Sequence, residues 1–386
     1  MIDISTMMMR LISCAITGSD IVSVSFTCEE VEKLLALSKH HDVAHLVSYA
    51  IAVNKLVLPD CDASKKIKKR HPIAVVRYEA LNRSYNQICE ALENGKVPFI
   101  PLKGSVIREL YPEPWMRTSC DVDVLVHEND VETASKILVE SLGYEKKDSG
   151  THEVSFFSPS GTHVELHFTL SEVFYESNAE KLLNDVWEYA IVKDESEFHH
   201  VLKDEFYYLY HVYHMAKHFE SGGCGIRPFI DMYLLDTAMQ YDKDRREELL
   251  GASGLSVFAS KCRELYKYWF CEGEADELTK RFQSYILFGG VYGNKENRRG
   301  LKNAKTDNKL GYLIGRVFLS YDKLKIQFPV IRKYKFLTPL FEVVRWFKIL
   351  NPKYRKVAKN ELEFTMTKKT SESTETWEFL HKLGLK

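Results

Sequence analysis

The sequence lacks any uninterrupted apolar run of about 18 residues, the length that a transmembrane helix requires. Its eight cysteines include no C-x-x-C pair, which excludes a zinc ribbon and a thioredoxin-type redox motif. Asp3 stands where a secretory signal would carry basic residues, and Arg10 interrupts the following apolar stretch, so we expect no signal peptide. These absences predict a cytoplasmic protein with reduced thiols.

What is present is the composition of a globular protein. The chain has 386 residues, of which 45% are hydrophobic and 28% charged. At about 150 residues per domain, this length predicts two or three domains.

The near-zero net charge conceals a basic tail. Residues 316–359 contain 12 Lys and Arg against two acidic residues, a net +10 that leaves −11 for the remainder, since the total is −1. Such a segment offers contact to nucleic acid or, weakly, to an anionic membrane surface. We favour the alternative in which it packs against the rest of the same chain.

The hydrophobic period divides the chain into three parts. Apolar residues at three- and four-residue spacing predict an N-terminal helical region over 1–95, in which the lysine-rich run 62–72 is a solvated linker. The same period returns from about Asp204, which predicts a helical C-terminal region over 196–386 that includes the basic tail.

Residues 96–195 have a different pattern. VPFIPL predicts a short buried strand that turns at Gly104 into a helix, and DVDVLV predicts a half-buried strand. A capping box of Asn129 and Glu132 predicts a helix that ends at Gly143, and HEVSFF with THVELHF predicts a hairpin. We therefore predict an α+β fold, with a small mixed-sheet core between two helical regions.

Two aspartates on the DVDVLV strand carry the first candidate chemistry. Asp121 and Asp123 are two residues apart, so both carboxylates project from one face of the strand while the valines enter the core. Adjacent carboxylates repel each other, and Mg²⁺, which prefers hard oxygen ligands, is their natural neutraliser, with Mn²⁺ as an alternative. Glu165, on a neighbouring strand, is the candidate third carboxylate; the other interpretation is a pair of exposed strand carboxylates.

The segment just upstream suits a phosphate. Lys103, Gly104 and Ser105 lie where a strand gives way to a helix, so free backbone amides and the helix dipole favour an anion there. Together the turn and the carboxylates predict a site for a nucleoside triphosphate, such as ATP, and a metal ion. A D-x-D also occurs in haloacid-dehalogenase phosphatases and in glycosyltransferases, but there an apolar strand leads into the first aspartate, whereas here the apolar run follows it.

The order LKGSVIRELYPEPWMRTSCDVDVLV resembles the uncharacterised bacterial nucleotidyltransferase family of the DNA polymerase beta-like superfamily. The resemblance is strongest over 97–144 and continues more weakly through KHHDVAHLVSYAI and HMAKHFESGGCGIRPFID. It implies that Asp121, Asp123 and Glu165 hold one or two magnesium ions, and that the acceptor hydroxyl displaces pyrophosphate from the triphosphate. Lys103, Gly104 and Ser105 would hold the leaving phosphates.

Three further residues are weaker candidates. Arg117 precedes the metal strand and would contact phosphate or acceptor, unless it pairs with an acidic neighbour. His218 and Arg227 match positions of the family's helical region that would close over the nucleotide; an i,i+4 pair with Asp231 is the other interpretation of Arg227. His211 lies with His214 and His218 on one helical face, for which we favour packing over zinc binding.

Several functions remain open at this point. The acceptor is unidentified, and a sugar, an antibiotic, a lipid headgroup, a protein hydroxyl and an RNA end all present suitable nucleophiles. A nucleotide-binding regulatory or scaffold module without turnover is one alternative, which the placement of Glu165 would discriminate. A transferase that modifies RNA or DNA is another, and salt-dependent nucleic-acid binding through the basic tail would mark it.

Overall fold

The computed structural model describes residues 3–21, 24–150, 152–171, 178–220, 222–271, 273–291, 293, 319, 321, 324, 328, 330–348 and 370–385. These residues form two compact units. The first contains the described residues up to 293 together with 383–385, and the second contains those from 319 to 382. The domain boundaries predicted near residues 95 and 195 both lie within the first unit.

Five helices precede the sheet, as the three- and four-residue period predicts. They are α1 (Ile4–Thr17), α2 (Cys28–His40), α3 (Ala44–Val53), α4 (Asp62–Lys68) and α5 (Arg70–Asn94). The start of α2 is fixed by a capping box, in which Thr27 and Glu30 each satisfy a backbone N–H of the other.

The prediction of a solvated linker at the lysine-rich run is wrong, because α4 occupies most of it. Ala63 and Ile67 lie four residues apart and are buried, while the lysines of the same helix stay largely exposed. The apolar residues thus make a short amphipathic helix that the dense lysines concealed.

A five-stranded mixed sheet forms the core of the first unit. Its strands are β1 (Phe99–Pro101), β2 (Asp121–Val126), β3 (Glu145–Ser149), β4 (Glu153–Phe157) and β5 (His163–His167), in the order β1-β2-β5-β4-β3. β2 runs antiparallel to β1 and parallel to β5, and β4 with β5 forms the predicted hairpin.

Two helical segments connect the strands. The turn after β1 leads into α6 (Gly104–Ile107), as predicted, and α7 (Val131–Lys136) continues as a π-helical turn over Ile137–Ser141. The predicted end at Gly143 is confirmed, since its φ of 71° is the left-handed conformation that glycine favours. The predicted capping box is wrong: Asn129 lies within a 3₁₀ turn, and the helix N-cap, Asp130, makes no side-chain cap.

One face of the sheet is apolar and packs on α5. Alternate residues of the three central strands are fully buried there, together with Ile88 and Leu92 of the helix. The sheet residues concerned are Val122, Val124, Val126, Val154, Phe156, Val164 and Leu166. Because strand side chains alternate, the residues between them project from the opposite face, on which the carboxylates lie.

Helices dominate the rest of the first unit. They are α8 (Asn178–Asn184), α9 (Asp204–Glu220), α10 (Arg227–Ala238), α11 (Lys243–Ser253), α12 (Ser256–Phe270) and α13 (Glu277–Gly289), with a two-stranded sheet of β6 (Ala190–Val192) and β7 (His200–Leu202). The helical period predicted from Asp204 is confirmed. The fold is thus α+β, with a small mixed sheet flanked by helical regions.

The second unit contains α14 (Val330–Lys333), α15 (Thr338–Lys348) and α16 (Thr370–Lys382). Only part of the basic tail 316–359 lies within the described residues, so its predicted packing and its predicted partners lie largely outside them. Over the described ranges, no helix combines the length and apolar character that crossing a bilayer demands.

Candidate metal and nucleotide site

The polar face of the sheet brings the three predicted carboxylates together. In the parallel pairing of β2 with β5, Asp123 is opposite Glu165 and Asp121 is opposite His163. Asp123 is 3% exposed, whereas Asp121 and Glu165 are half-buried. Glu153, a further acidic residue of this face, lies one strand further away on β4, where it pairs with His167.

Two basic side chains converge on Asp123. Lys103 Nζ donates to Asp123 Oδ1 at 2.7 Å and lies 4.0 Å from Glu165 Oε2. His167 Nε2 lies 2.9 Å from the same Asp123 oxygen and 3.4 Å from Glu165 Oε2. Lys103 therefore contacts the carboxylate cluster, and its predicted contact with the leaving phosphates remains a prediction.

These contacts shift the protonation equilibria of the face. Burial alone would raise the pKa of Asp123, but the Lys103 ammonium and the His167 ring hold it well below its usual range. Burial and the neighbouring Asp123 charge instead raise the pKa of Asp121. For His167, burial is outweighed by the hydrogen bonds to Asp123 and Glu165, which raise its pKa. The cluster thus keeps Asp123 ionised and offsets its charge with nearby cations.

Two sets of side chains have the spacing of metal ligands. One combines Asp121, His163 and Glu165, and the other combines Asp123, Glu165 and His167. Within each set the ligand atoms lie within 4.8 Å of one another. Each set therefore combines two carboxylates, the hard oxygen ligands of the predicted magnesium site, with one histidine.

The strand-to-helix turn is held tightly behind the carboxylates. Lys103 has a φ of 48°, an uncommon conformation for a non-glycine residue that is often found at functional sites. A Cβ atom at Gly104 would overlap Ser119 Oγ, so only glycine fits there without a shift of that side chain. Ser105 Oγ is buried and has no hydrogen-bond partner among the described residues.

A buried arginine also supports this turn. Arg108, 1% exposed, donates from Nε to Gly104 O at 2.8 Å. Its two terminal nitrogens have no hydrogen-bond partner among the described side chains and backbone. Burial, and then the Arg117 charge, lower the pKa of Arg108. The Gly-Ser turn therefore lies against a buried guanidinium that has no ion pair among the described residues, an environment that suits an anion.

Arg117 makes a buried ion pair with a distant residue. Its Nε donates to both carboxylate oxygens of Asp231, at 2.9 and 3.0 Å, and Tyr111 Oη donates to the same carboxylate at 2.6 Å. Arg117 Nη1 donates to the Thr118 carbonyl at 2.8 Å. Asp231 lies 114 positions along the chain, so Arg117 joins the loop before β2 to α10. Its predicted contact with phosphate or acceptor remains a prediction.

Arg227 has a different partner from the one that helical spacing indicates. Its Nη1 donates to Asp42 Oδ2 at 3.0 Å and to the Thr118 carbonyl at 2.8 Å. The i,i+4 interpretation with Asp231 is wrong, because that carboxylate is already taken by Arg117. Arg227 therefore ties the loop before β2 to the start of α10. Its role at a nucleotide remains a prediction.

One face of α9 lies beside Lys103. Tyr207 Oη donates to the Lys103 carbonyl at 2.8 Å, and Tyr210 and His214 continue the same face at three- and four-residue steps. His218 follows one turn later, with its ring 4.5 Å from that of His214. His211 turns away and contacts the Pro228 carbonyl at 2.9 Å.

Sequence reasoning missed the side chains that hold the site from a distance. Asp42, Tyr207 and Asp231 each contact the 103–118 segment from helices or loops far away in sequence. The spacing of Tyr207, Tyr210 and His214 left a signal, as a polar aromatic stripe on a predicted helix. Asp231 was considered only as a helical neighbour of Arg227, and Asp42 carries no local pattern.

A family model matches a large part of this chain. Residues 27–271 match the model of a family described as uncharacterised nucleotidyltransferase. Because this match covers more than half of the 386 residues, the chain belongs to that nucleotidyltransferase family. No curated protein matches the chain.

A solved structure, a crystal structure of an antigenic nucleotidyltransferase-like protein from Paracoccidioides brasiliensis, is also similar to this chain. It is 15% identical, and the alignment covers 54% of this chain and 96% of the other, with a TM-score of 0.30.

Proposed function

We propose that the polar face of β2 and β5 catalyses nucleotidyl transfer, moving a nucleoside monophosphate from a triphosphate to an acceptor hydroxyl with a divalent cation. The observation that carries the proposal is the parallel register that sets Asp123 opposite Glu165, which also has ligand spacing to Asp121 in a second set of side chains. Family membership supplies the reaction class. Neither of these observations identifies the acceptor.

The donor set fits magnesium. Asp121, Asp123 and Glu165 offer carboxylate oxygens, the ligands that Mg²⁺ prefers beside substrate phosphates and water. Bound there, the ion would neutralise charge on the triphosphate and make the acceptor hydroxyl more acidic. The buried Ser105 hydroxyl, which lacks a partner among the described residues, fits a further polar contact to the substrate.

The chain's own residues then have distinct roles in the proposal. The acceptor oxygen forms a bond to the α-phosphorus while the bond to the bridging oxygen of pyrophosphate breaks. Glu165, half-buried at the edge of the cluster, receives the hydroxyl proton. Lys103 moves from Asp123 toward the leaving phosphates, a short shift because its backbone forms the Gly-Ser turn. Arg117 and Arg227 keep the loop before β2 in place.

A second function is favoured by one contact. Lys103 Nζ lies 2.7 Å from Asp123, close enough to compete with a metal ion for that carboxylate. A chain in which the lysine stays there would bind nucleotide without turning it over. This is the regulatory or scaffold alternative.

Calorimetry of the four nucleoside triphosphates, with and without Mg²⁺, tests the site. We expect Mg²⁺-dependent binding that Asp121→Asn with Asp123→Asn, and separately Glu165→Gln, weaken by at least about tenfold, since loss of even an outer-shell partner costs about 10- to 100-fold. Glu145→Gln, an exposed carboxylate on the edge strand β3, is the matched control and should bind as wild type. Circular dichroism verifies folding. Absence of binding by any triphosphate would overturn the proposal.

Turnover separates the two functions. With α-phosphate-labelled nucleotide and extracts fractionated by acceptor class, transfer of label that requires Glu165 supports the transferase. Tight nucleotide binding with no transfer to any fraction, together with tighter Mg²⁺-dependent binding in Lys103→Met, would instead support the scaffold alternative.

A further inference from the structure

Two cysteines from distant parts of the chain meet at the surface where α2 packs against α4. Cys28 is the first residue of α2 and is exposed, and Cys61 directly precedes α4 and is half-buried. Their side chains interact with each other. Both thiols are free in the structure. The fold therefore holds two accessible, reduced thiols together, although the sequence contains no C-x-x-C pair.

We propose that Cys28 and Cys61 are a redox modification site, at which a peroxide converts the two thiols to a reversible disulfide. Cys61 is the attacking thiolate, and Cys28 is the thiol that closes the bond. The proposal is independent of the nucleotidyl transfer proposed above, because it involves none of the residues of the carboxylate face.

The surroundings of the two sulfurs assign these roles. Cys61 Sγ lies 3.2 Å from Ser64 Oγ. The hydrogen bond with the Ser64 hydroxyl, followed by the one from the Ser64 backbone N–H, lowers the pKa of Cys61. The contact with Cys61 raises the pKa of Cys28, and the nearby carboxylates of Glu32 and Asp60 act in the same direction. Because the thiolate is the nucleophilic form of cysteine, Cys61 reacts first.

The reaction balances with the peroxide as its only oxidant. The Cys61 thiolate attacks one oxygen of hydrogen peroxide, so an S–O bond forms and the O–O bond breaks. The hydroxide that leaves takes up the proton released by Cys61 and becomes water. The Cys28 sulfur then attacks the resulting sulfenic acid, so the S–S bond forms as the S–O bond breaks. The second hydroxide takes the Cys28 proton, and the two electrons lost by the thiols have reduced the peroxide to two waters.

The disulfide would close a ring over residues 28–61, which contains two side chains that hold the loop before β2. Asp42 Oδ2 accepts from Thr118 Oγ1 at 3.1 Å. His45 Nε2 lies 2.7 Å from the Met116 carbonyl oxygen. A cross-link stabilises a fold mainly because it restricts the unfolded chain. Oxidation should therefore oppose local unfolding of this segment and of the loop that it supports.

The test uses the full-length protein, first fully reduced, and hydrogen peroxide in small excess. Mass spectrometry of peptides prepared without reductant should find Cys28 linked to Cys61 with the loss of two hydrogens, and dithiothreitol should reverse the link. The melting temperature should increase by at least about 3 °C on oxidation. Backbone amides of α3 should exchange hydrogen more slowly, whereas those of α11 should be unchanged.

Single variants test the order of attack. Cys28→Ser should leave Cys61 as a sulfenic acid that a cyclic-dione probe labels, whereas Cys61→Ser should leave Cys28 largely unlabelled. Ser64→Ala should slow oxidation at pH 7 by at least about threefold, since it removes the hydroxyl that stabilises the thiolate. Cys271→Ser, which removes another exposed thiol, is the matched control and should form the same disulfide as wild type.

The proposal fails on any of three results. They are oxidation of Cys271 before a Cys28–Cys61 link is detected, a link from either cysteine to a different thiol as the main product, and equal sulfenic acid labelling in Cys28→Ser and Cys61→Ser. A disulfide that changes neither the melting temperature nor the exchange of α3 would refute the constraint on residues 28–61. Circular dichroism verifies folding, and because Cys28 is exposed, its serine variant is expected to fold even where the Cys61 variant does not.

Discussion

Replacement of Asp231 tests whether Arg117 is a structural residue of the site. Asp231 is 1% exposed and accepts hydrogen bonds from Arg117 Nε and Tyr111 Oη. Asp231→Asn keeps the shape but removes the charge, so the Arg117 guanidinium is left buried without a counter-ion. Breaking one partner of such a buried pair costs about 3–5 kcal/mol in the free energy of unfolding.

A double variant separates the loss of the ion pair from the cost of leaving the Arg117 guanidinium buried without a counter-ion. In Arg117→Met with Asp231→Asn the buried cation is gone, so the protein should regain at least about 2 kcal/mol relative to Asp231→Asn alone. Urea unfolding at pH 7 measures each variant. The exposed pair of Asp60 with Lys65, 3.2 Å apart, supplies the control, since Asp60→Asn should cost less than about 1 kcal/mol.

The outcome also bears on the nucleotide. Two results would contradict a buried ion pair between Arg117 and Asp231. One is a loss below about 1 kcal/mol in the free energy of unfolding of Asp231→Asn, and the other is a loss in the double variant equal to the sum of the losses in the two single variants. If the pair behaves as expected, Arg117→Met should lower stability and leave triphosphate affinity within about threefold. A larger loss of affinity with normal stability would assign Arg117 to phosphate instead.

Three further predictions concern the same region. Gly104→Ala should destabilise the protein, because the new Cβ atom would overlap the Ser119 hydroxyl. Adding Ser119→Ala should restore most of the lost stability, since the other nearest atoms lie 3.4 Å from that Cβ position. Thermal unfolding of the two single variants and the double variant checks this. Arg108→Met should leave the free energy of unfolding unchanged or higher, since one hydrogen bond of about 1 kcal/mol is lost while two unpartnered buried nitrogens are removed; a loss above about 2 kcal/mol would contradict it. Burial lowers the pKa of His45 to about 4, so the folded state resists a proton that the unfolded state takes up near pH 6.5, and stability falls as the pH falls between these values. Urea unfolding should therefore find that the advantage of wild type over His45→Gln shrinks by about 2 kcal/mol from pH 7 to pH 5; no change would refute the linkage.

The parts of the site that lie within short segments could be predicted from sequence. The turn at Gly104, the strand of Asp121 and Asp123 and the strand of Glu165 follow from strand and helix periods within a few residues. That Glu165 would be directly opposite Asp123 needs the parallel register, which no local pattern contains. The sequence therefore indicated which carboxylates share the polar face without fixing their separation.

The contacts that were missed or misassigned are long-range. One interpretation paired Arg227 with Asp231 from helical spacing, yet the structure pairs it with Asp42, 185 positions away. Spacing along one helix predicts which side chains are near each other, but it cannot exclude a better acceptor on another element. In the structure Asp231 accepts from Arg117, and Arg227 donates to Asp42 instead. Both arginines also donate to the Thr118 carbonyl.

The alternation of side chains along β2 and β5 explains how the sheet holds several charged side chains close together on its polar face. Each residue that contributes to the polar face is flanked by a fully buried valine or leucine on the apolar face, so the register of the carboxylates is fixed by the core beneath them. Repulsion among the carboxylates would oppose that register, but Lys103 and His167 already offset it at Asp123. In the proposed function, a divalent cation would therefore replace a resident cation in a framework that is already assembled. We expect Lys103 to be the cation that moves, since its ammonium lies at the end of a flexible side chain, whereas the His167 ring is held close to its strand.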